Sequence, residues 1–266
     1  MKTITISAVP GYTEWRTAAR ECLAAGLAPE NIVWQTGESL QDDLFGHQPA
    51  VLQTKQELLQ QHKIPSSALA IFEVALCHSD TTRFSLCYRI LWRLIFENRN
   101  LFKLKTDADV LRINALVKAV KRDTYKMSAY LRFREVSHEG EEYFIAWYEP
   151  EHYSLERKLG FFQDRFKNMR WSILTPYRAA HWDKSKLVLE NNPDPSIYPN
   201  TDRIEKYWLT YYANIFNPAR VKKNAMLSSM PKKYWKNMPE TVLIEDMLKN
   251  SEARARQMII KSNSGS

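Results

Sequence analysis

The sequence predicts an α+β fold: a small β-α-β unit, a helical block, then an antiparallel sheet of order β-β-α-β-β-β with C-terminal helices. Three observations predict it. Two short β-branched stretches flank an amphipathic helix at the start of the chain. Two segments near the middle are apolar nearly all round, as buried helices are. From Ser128 onward the apolar period changes from helical to two.

The elements follow in order. ITIS reads as a strand. TEWRTAARECLAAGLAP has Trp15, Ala18, Ala19, Cys22 and Leu23 at helical spacing and Gly26 as C-cap. NIVWQ is the second strand, and residues 37–50 read as a loop or linker punctuated by Gly, Asp and Pro. A domain boundary is therefore expected at residue 50, with the main domain over 51–262. Pro65 opens a helix through ALAIFEVALC. Asp80 and Thr81 break and re-cap before FSLCYRILWRLIF. Thr106 is the expected N-cap of the next helix, whose stripe is Val110, Ile113, Leu116, Val117 and Val120. SAYLRFREV then alternates as a strand, HEGEE turns, and YFIAWYEP returns beside it. LERKLGFFQDRFKNM reads as a helix, and RWSILTP, RAAHWD and KLVLE as three strands. After a Pro- and Asn-rich loop, Thr201 or Asp202 caps a helix through RIEKYWLTYYANIF, and Pro239 starts a last one.

Composition excludes several classes. The 266 residues are 44% hydrophobic and 12% aromatic, enough for a packed core and unlike a disordered chain. Glycines number seven and are scattered, with no GxxxxGK[ST] and no GxGxxG, so phosphate-cradling loops are not expected. The three cysteines, Cys22, Cys77 and Cys87, fit no zinc or iron-sulfur spacing. They read as buried thiols in a reducing compartment, and no metal or other cofactor is expected. TITIS is not a leader, and RILWRLIF is too short and charged to span a bilayer. A cytoplasmic protein without a membrane partner is expected.

Charge is uneven. The formal net charge is +8, yet residues 1–65 carry −2 and the remainder +10. Asymmetry of this kind points to a polyanion, or to a basic surface serving solubility. The densest feature is Asn217–Met238, with Arg220, Lys222, Lys223, Lys232, Lys233 and Lys236, no acid, and Tyr234 and Trp235 among them. Cations suit phosphates and flat side chains suit bases, so this run is a candidate nucleic-acid site. The alternative is a solvated basic face with Trp235 turned into the core. Arg132 and Arg134 share one face of a strand, and Arg170 and Arg178 fall on neighbouring strands. Paired, they make either a basic stripe or ordinary edge protection. WYEPEH and AAHWD place Glu149, His152, His181 and Asp183 beside tryptophans near strand ends. That set is a candidate acid-base group or weak metal site, or a set of turn-formers and core hydrogen-bond partners.

KMSAYLRFRE, AWYEPEH, MRWSILTPYRAAHWD, YYANIFNPARVK and MPKKYWKNMPE together resemble a bacterial family of DNA metabolism proteins whose defining domain has no assigned activity. The resemblance covers roughly Pro65 to Leu248, and WRTAARECLAAGLAPENIVWQ looks like the front end of its fused form. Relatives stand beside a radical SAM protein or are fused ahead of a uracil-DNA glycosylase-like domain. No residues here match a glycosylase motif, and no CxxxCxxC occurs. Tyr125 stands where the family has His, which removes that position from a catalytic role. The resemblance implies work on DNA in repair or base modification, without supplying a reaction. Three functions follow as expectations: a DNA-binding accessory module, an enzyme acting on a DNA base through Glu149, His152, His181 and Asp183, or a scaffold for a protein partner.

Overall fold

The structure is a computed structural model describing residues 1–6, 10–37, 64–138, 141–194, 228–239, 241–242 and 244. The contacts divide the chain into two compact units, Met1–Tyr125 with Pro150–Glu156, and Lys126–Glu149 with Arg157–Ser266. Residue 50, the expected boundary, lies outside the described residues.

In the first unit, β1 (Lys2–Ile6) and β2 (Ile32–Thr36) pair in parallel across α1 (Tyr12–Ala24), the β-α-β unit read from the sequence. Gly26 ends α1 at φ 65, a conformation only glycine adopts without a Cβ penalty. The N–H of Gly26 reaches the Leu23 carbonyl, and that of Leu27 reaches the Cys22 carbonyl, closing the last turn. α2 (Ser66–Ala75), α3 (Arg83–Phe96) and the first part of α4 (Ala108–Tyr130) complete the unit. One apolar core joins them: Ile6, Trp15 and Leu23 pack with Phe72, Phe84, Tyr88, Ile90 and Ile113. All three cysteines are buried. Burial pushes the Cys87 thiol far above its usual range, so it is inert at neutral pH.

Asp80 makes the expected break before α3, its carboxylate accepting the Thr82 N–H and hydroxyl at 2.8 and 2.7 Å. The cap of α4 differs from the expectation. Asp107, one residue beyond Thr106, accepts the N–H groups of Asp109 and Val110. Asp107 also pairs with Arg93, and Asp109 with Arg89 and Arg93. A carboxylate can cap and pair at once, which a threonine hydroxyl cannot.

The segment Pro150–Glu156 belongs to this unit and is held from α4. Asp123 is buried, and its carboxylate accepts Glu151 N–H at 3.1 Å, His152 N–H at 3.0 Å and the Ser154 hydroxyl at 2.9 Å. Tyr153 N–H donates to the Cys77 carbonyl at 2.8 Å.

The second unit is built on a five-stranded sheet: β3 (Arg134–His138), β4 (Glu141–Trp147), β5 (Trp171–Leu174), β6 (Arg178–Trp182) and β7 (Leu187–Asn191), in sequential order. α5 (Leu159–Arg165) connects β4 to β5. The element order matches the sequence reading, with two corrections. β4 and β5 pair in parallel, so the sheet is mixed. A connection of this length carrying a helix is what a parallel crossover requires. The alternation from Ser128 is also misleading: α4 runs through Tyr130, Leu131 N–H donates to the Met127 carbonyl, and the strand starts at Arg134.

Ile145, Leu174 and Ala179 form a buried cluster on one face of the sheet. Trp171 on the other face is buried among Phe133, Phe162 and Trp182. Among the described residues no helix is long and apolar enough to cross a membrane.

Candidate nucleic-acid interface

KKYWKN, Lys232–Asn237, forms a 3-10 turn entered through Pro231. Its two aromatics have different jobs. Tyr234 is buried and stacked with two tyrosines of the same unit, Tyr148 at 5.3 Å and 6°, Tyr130 at 5.5 Å and 27°. The Tyr130 hydroxyl donates to the Ser229 carbonyl, fastening the approach to the turn. Tyr234 therefore anchors the turn. Trp235 is half-buried and donates its indole N–H to the Met230 carbonyl at 3.2 Å. Of the pair, it is the ring still partly open to solvent.

The lysines divide as well. Lys232 and Lys233 are exposed, and their ammonium groups lie 5.6 Å from the Trp235 ring and 4.7 Å from the Tyr234 ring. Lys126, from the last part of α4, lies 5.7 Å from the Tyr234 ring. Three cations thus gather around two rings, each attracted by a π-face. Lys236 instead meets Glu149 at 2.5 Å, an acid the local sequence did not show. Burial pushes the Glu149 carboxyl up, but hydrogen bonds from Lys236 and Trp147 outweigh it and hold the group below its usual range. Arg220, Lys222 and Lys223 lie outside the described residues.

The four sheet arginines make no single stripe. Arg132 precedes β3, and its guanidinium donates to the Ala129 and Leu131 carbonyls, where a cation suits the helix C-terminus. Arg134 lies opposite Ile145, in the row that continues through Ser172 and His181. Arg178 is three residues from His181 on the same strand, so the period of two puts it on the other face, where it donates to Asn191 at 3.1 Å. Arg170 stands just before β5.

The candidate acid-base residues are not brought together as one group. Glu149 bonds Lys236 and Trp147. Asp183 closes its own turn, accepting Ser185 N–H, the Ser185 hydroxyl and Lys186 N–H, which hold its carboxyl down to about 2. His152 belongs to the first unit, where it meets Ser79 at 3.0 Å and its ring lies 3.9 Å from that of His78, tilted by 30°. Burial, with His152 beside it, lowers His78 to about 4. His181 sits in a row the sequence reading missed. Its Nδ1 meets the Ser172 hydroxyl at 2.5 Å, its Nε2 meets Glu190 at 3.1 Å, and Tyr143 bonds Ser172. Sheet register sets this row, since Ser172 and His181 are direct partners. Among the described residues no group of three His, Cys, Asp or Glu could hold a metal ion.

Comparison with curated proteins and with solved structures gives no match. A family model described as a domain of unknown function, DUF4130, matches residues 81–240, more than half of the chain. That match takes in α3, α4, the whole sheet and the KKYWKN turn, and on it the chain belongs to the DUF4130 family.

Proposed function

We propose that this protein is a DNA-binding accessory module in DNA repair or base modification. It holds DNA for a companion enzyme, a radical SAM protein or a uracil-DNA glycosylase-like domain. The observation that supports it best is the KKYWKN turn. Its exposed Lys232 and Lys233 stand on a backbone fixed from beneath by the Tyr130–Tyr234–Tyr148 stack. A phosphate contact made from a fixed turn loses less side-chain and backbone entropy than one made from a loose tail. Half-buried Trp235, with Lys232 beside it, is partly open for stacking on an unpaired base. Net charge of +10 beyond residue 65 adds long-range attraction.

Fluorescence anisotropy over a salt series tests this reading. Log affinity for a single-stranded or duplex oligonucleotide falls by about 0.7–0.9 per phosphate contact per log unit of salt. Binding that ignores salt, or no binding at low salt, refutes it and favours the protein-partner scaffold.

A second reading, an enzyme acting on a DNA base, is favoured by one observation: His181 held between the Ser172 hydroxyl and the Glu190 carboxylate. A carboxylate fixing an imidazole whose other nitrogen faces a hydroxyl is an arrangement used in general base chemistry. Ser172 is buried, which argues against direct attack by it. On this reading His181→Ala abolishes turnover of a damaged oligonucleotide and leaves affinity nearly intact.

A further inference from the structure

A groove in the second unit lies apart in sequence from the KKYWKN turn. It holds about 300 Å³ and is lined by Glu142, Phe144, Asn168, Met169, Arg170 and Lys184. That size is at the small end of ligand pockets. Its floor comes from the sheet, since Phe144 lies beside Trp171 and Trp171 beside Trp182, an aromatic row across three strands. Trp171 is buried, whereas Phe144 is half-buried and faces the groove. Asn168 and Met169 come from the bend after α5, and the Arg170 carbonyl accepts Phe144 N–H at 3.0 Å, tying that bend to β4.

Lys184 lines the groove from the turn between β6 and β7. Lys184 has φ 82, a left-handed conformation that a lysine adopts only at a steric cost. Three hydrogen bonds to Asp183 enforce it. Glycine would be the relaxed residue there, so the turn keeps a charged side chain against its conformational preference.

We infer that this groove binds one unpaired nucleotide, its base on Phe144 and its phosphate between Arg170 and Lys184. A flat apolar ring suits a base face. The Asn168 amide and the Glu142 carboxylate offer a donor and acceptors to a base edge. Two cations suit one phosphate. The inference rests on the DNA-binding reading and deepens it, making single-stranded or locally opened DNA the substrate class.

The test is isothermal titration of the full chain with deoxynucleoside 5′-monophosphates, free deoxynucleosides and inorganic phosphate, each alone. The expected result is binding of a monophosphate at least tenfold tighter than phosphate or nucleoside, since only it engages ring and cations together. Lys184→Gly keeps the turn and weakens monophosphate binding at least fivefold, as does Asn168→Ala on an exposed bend. Lys232→Ala/Lys233→Ala leaves it unchanged. Equal affinity for monophosphate and inorganic phosphate overturns the inference, as does no effect of both groove variants. Loss of oligonucleotide binding in the lysine double variant, with mononucleotide binding intact, separates the two sites. An oligonucleotide that never binds sinks the DNA-binding reading even where mononucleotides bind.

Discussion

Replacing Asp123 with asparagine tests how the chain re-enters its first unit at Pro150. The carboxylate is buried and accepts three donors, one on Oδ1 and two on Oδ2. Asparagine has the same shape, but one oxygen becomes an NH2. In the milder orientation the amide keeps the two acceptor contacts to His152 and Ser154 and turns its NH2 on Glu151 N–H. That leaves donors facing each other in a buried place, at about 1–3 kcal/mol. The two retained bonds lose charge assistance, at about 1 kcal/mol each. The total is about 3–5 kcal/mol. Ser154→Ala, which removes one bond, costs about 1–2 kcal/mol. The assay is urea unfolding at neutral pH, comparing midpoints at unchanged slope. A loss below about 1 kcal/mol for Asp123→Asn would refute the claim that this carboxylate organises Pro150–Glu156.

Other expectations concern anchoring, pH and charge. Tyr234→Phe keeps the ring stack, and both stability and oligonucleotide affinity stay within twofold, whereas Tyr234→Ala empties the site at about 3–5 kcal/mol and loses binding with the turn. A base-stacking Tyr234 would instead give a stable Ala variant that fails only in binding. Asp107 is held down to about 2 by Arg93 and by its cap bonds. A depressed carboxylate stabilises the fold above its unfolded value of about 3.9 and loses that contribution as pH falls through about 2. Acid unfolding of Arg93→Ala should therefore begin at higher pH than wild type, and coincident curves would contradict the pairing. His78, lowered to about 4, favours the fold while neutral, so stability contributed there fades as pH drops from about 6.5 towards 4. Its imidazole resonances should titrate near pH 4, and a midpoint above 6 would contradict the packing.

Patterns that depend on neighbours in sequence were legible, and those that depend on partners across the fold were not. Trp15, Ala19, Cys22 and Leu23 show one helix face by spacing alone, and Gly26 marks its end, so α1 and its flanking strands could be read. The parallel pairing of β4 with β5 had a signal in the long helical connection between them. Ser128–Tyr130 lies in the last turn of α4, where buried Met127 and the following Leu131 are apolar at a spacing of four, so the alternation there is accidental. Asp123 also had a signal: it falls three residues after buried Val120 and four before buried Met127, an acid within a core stripe. KKYWK offered no way to tell which aromatic turns inward, since that is decided by Tyr130 and Tyr148, far off in sequence. Likewise, nothing near Lys236 announces Glu149, and nothing near His181 announces Ser172 as its cross-strand partner.

The central claim is that Lys232 and Lys233 carry phosphate contacts from a fixed turn. It is tested most directly by the salt slope of oligonucleotide binding in wild type and in Lys232→Ala/Lys233→Ala, both shown to be folded by circular dichroism. Two lost contacts should make the slope shallower by about 1.4–1.8 for single strands or duplex and weaken binding at low salt. An unchanged slope and affinity in the double variant would contradict the account.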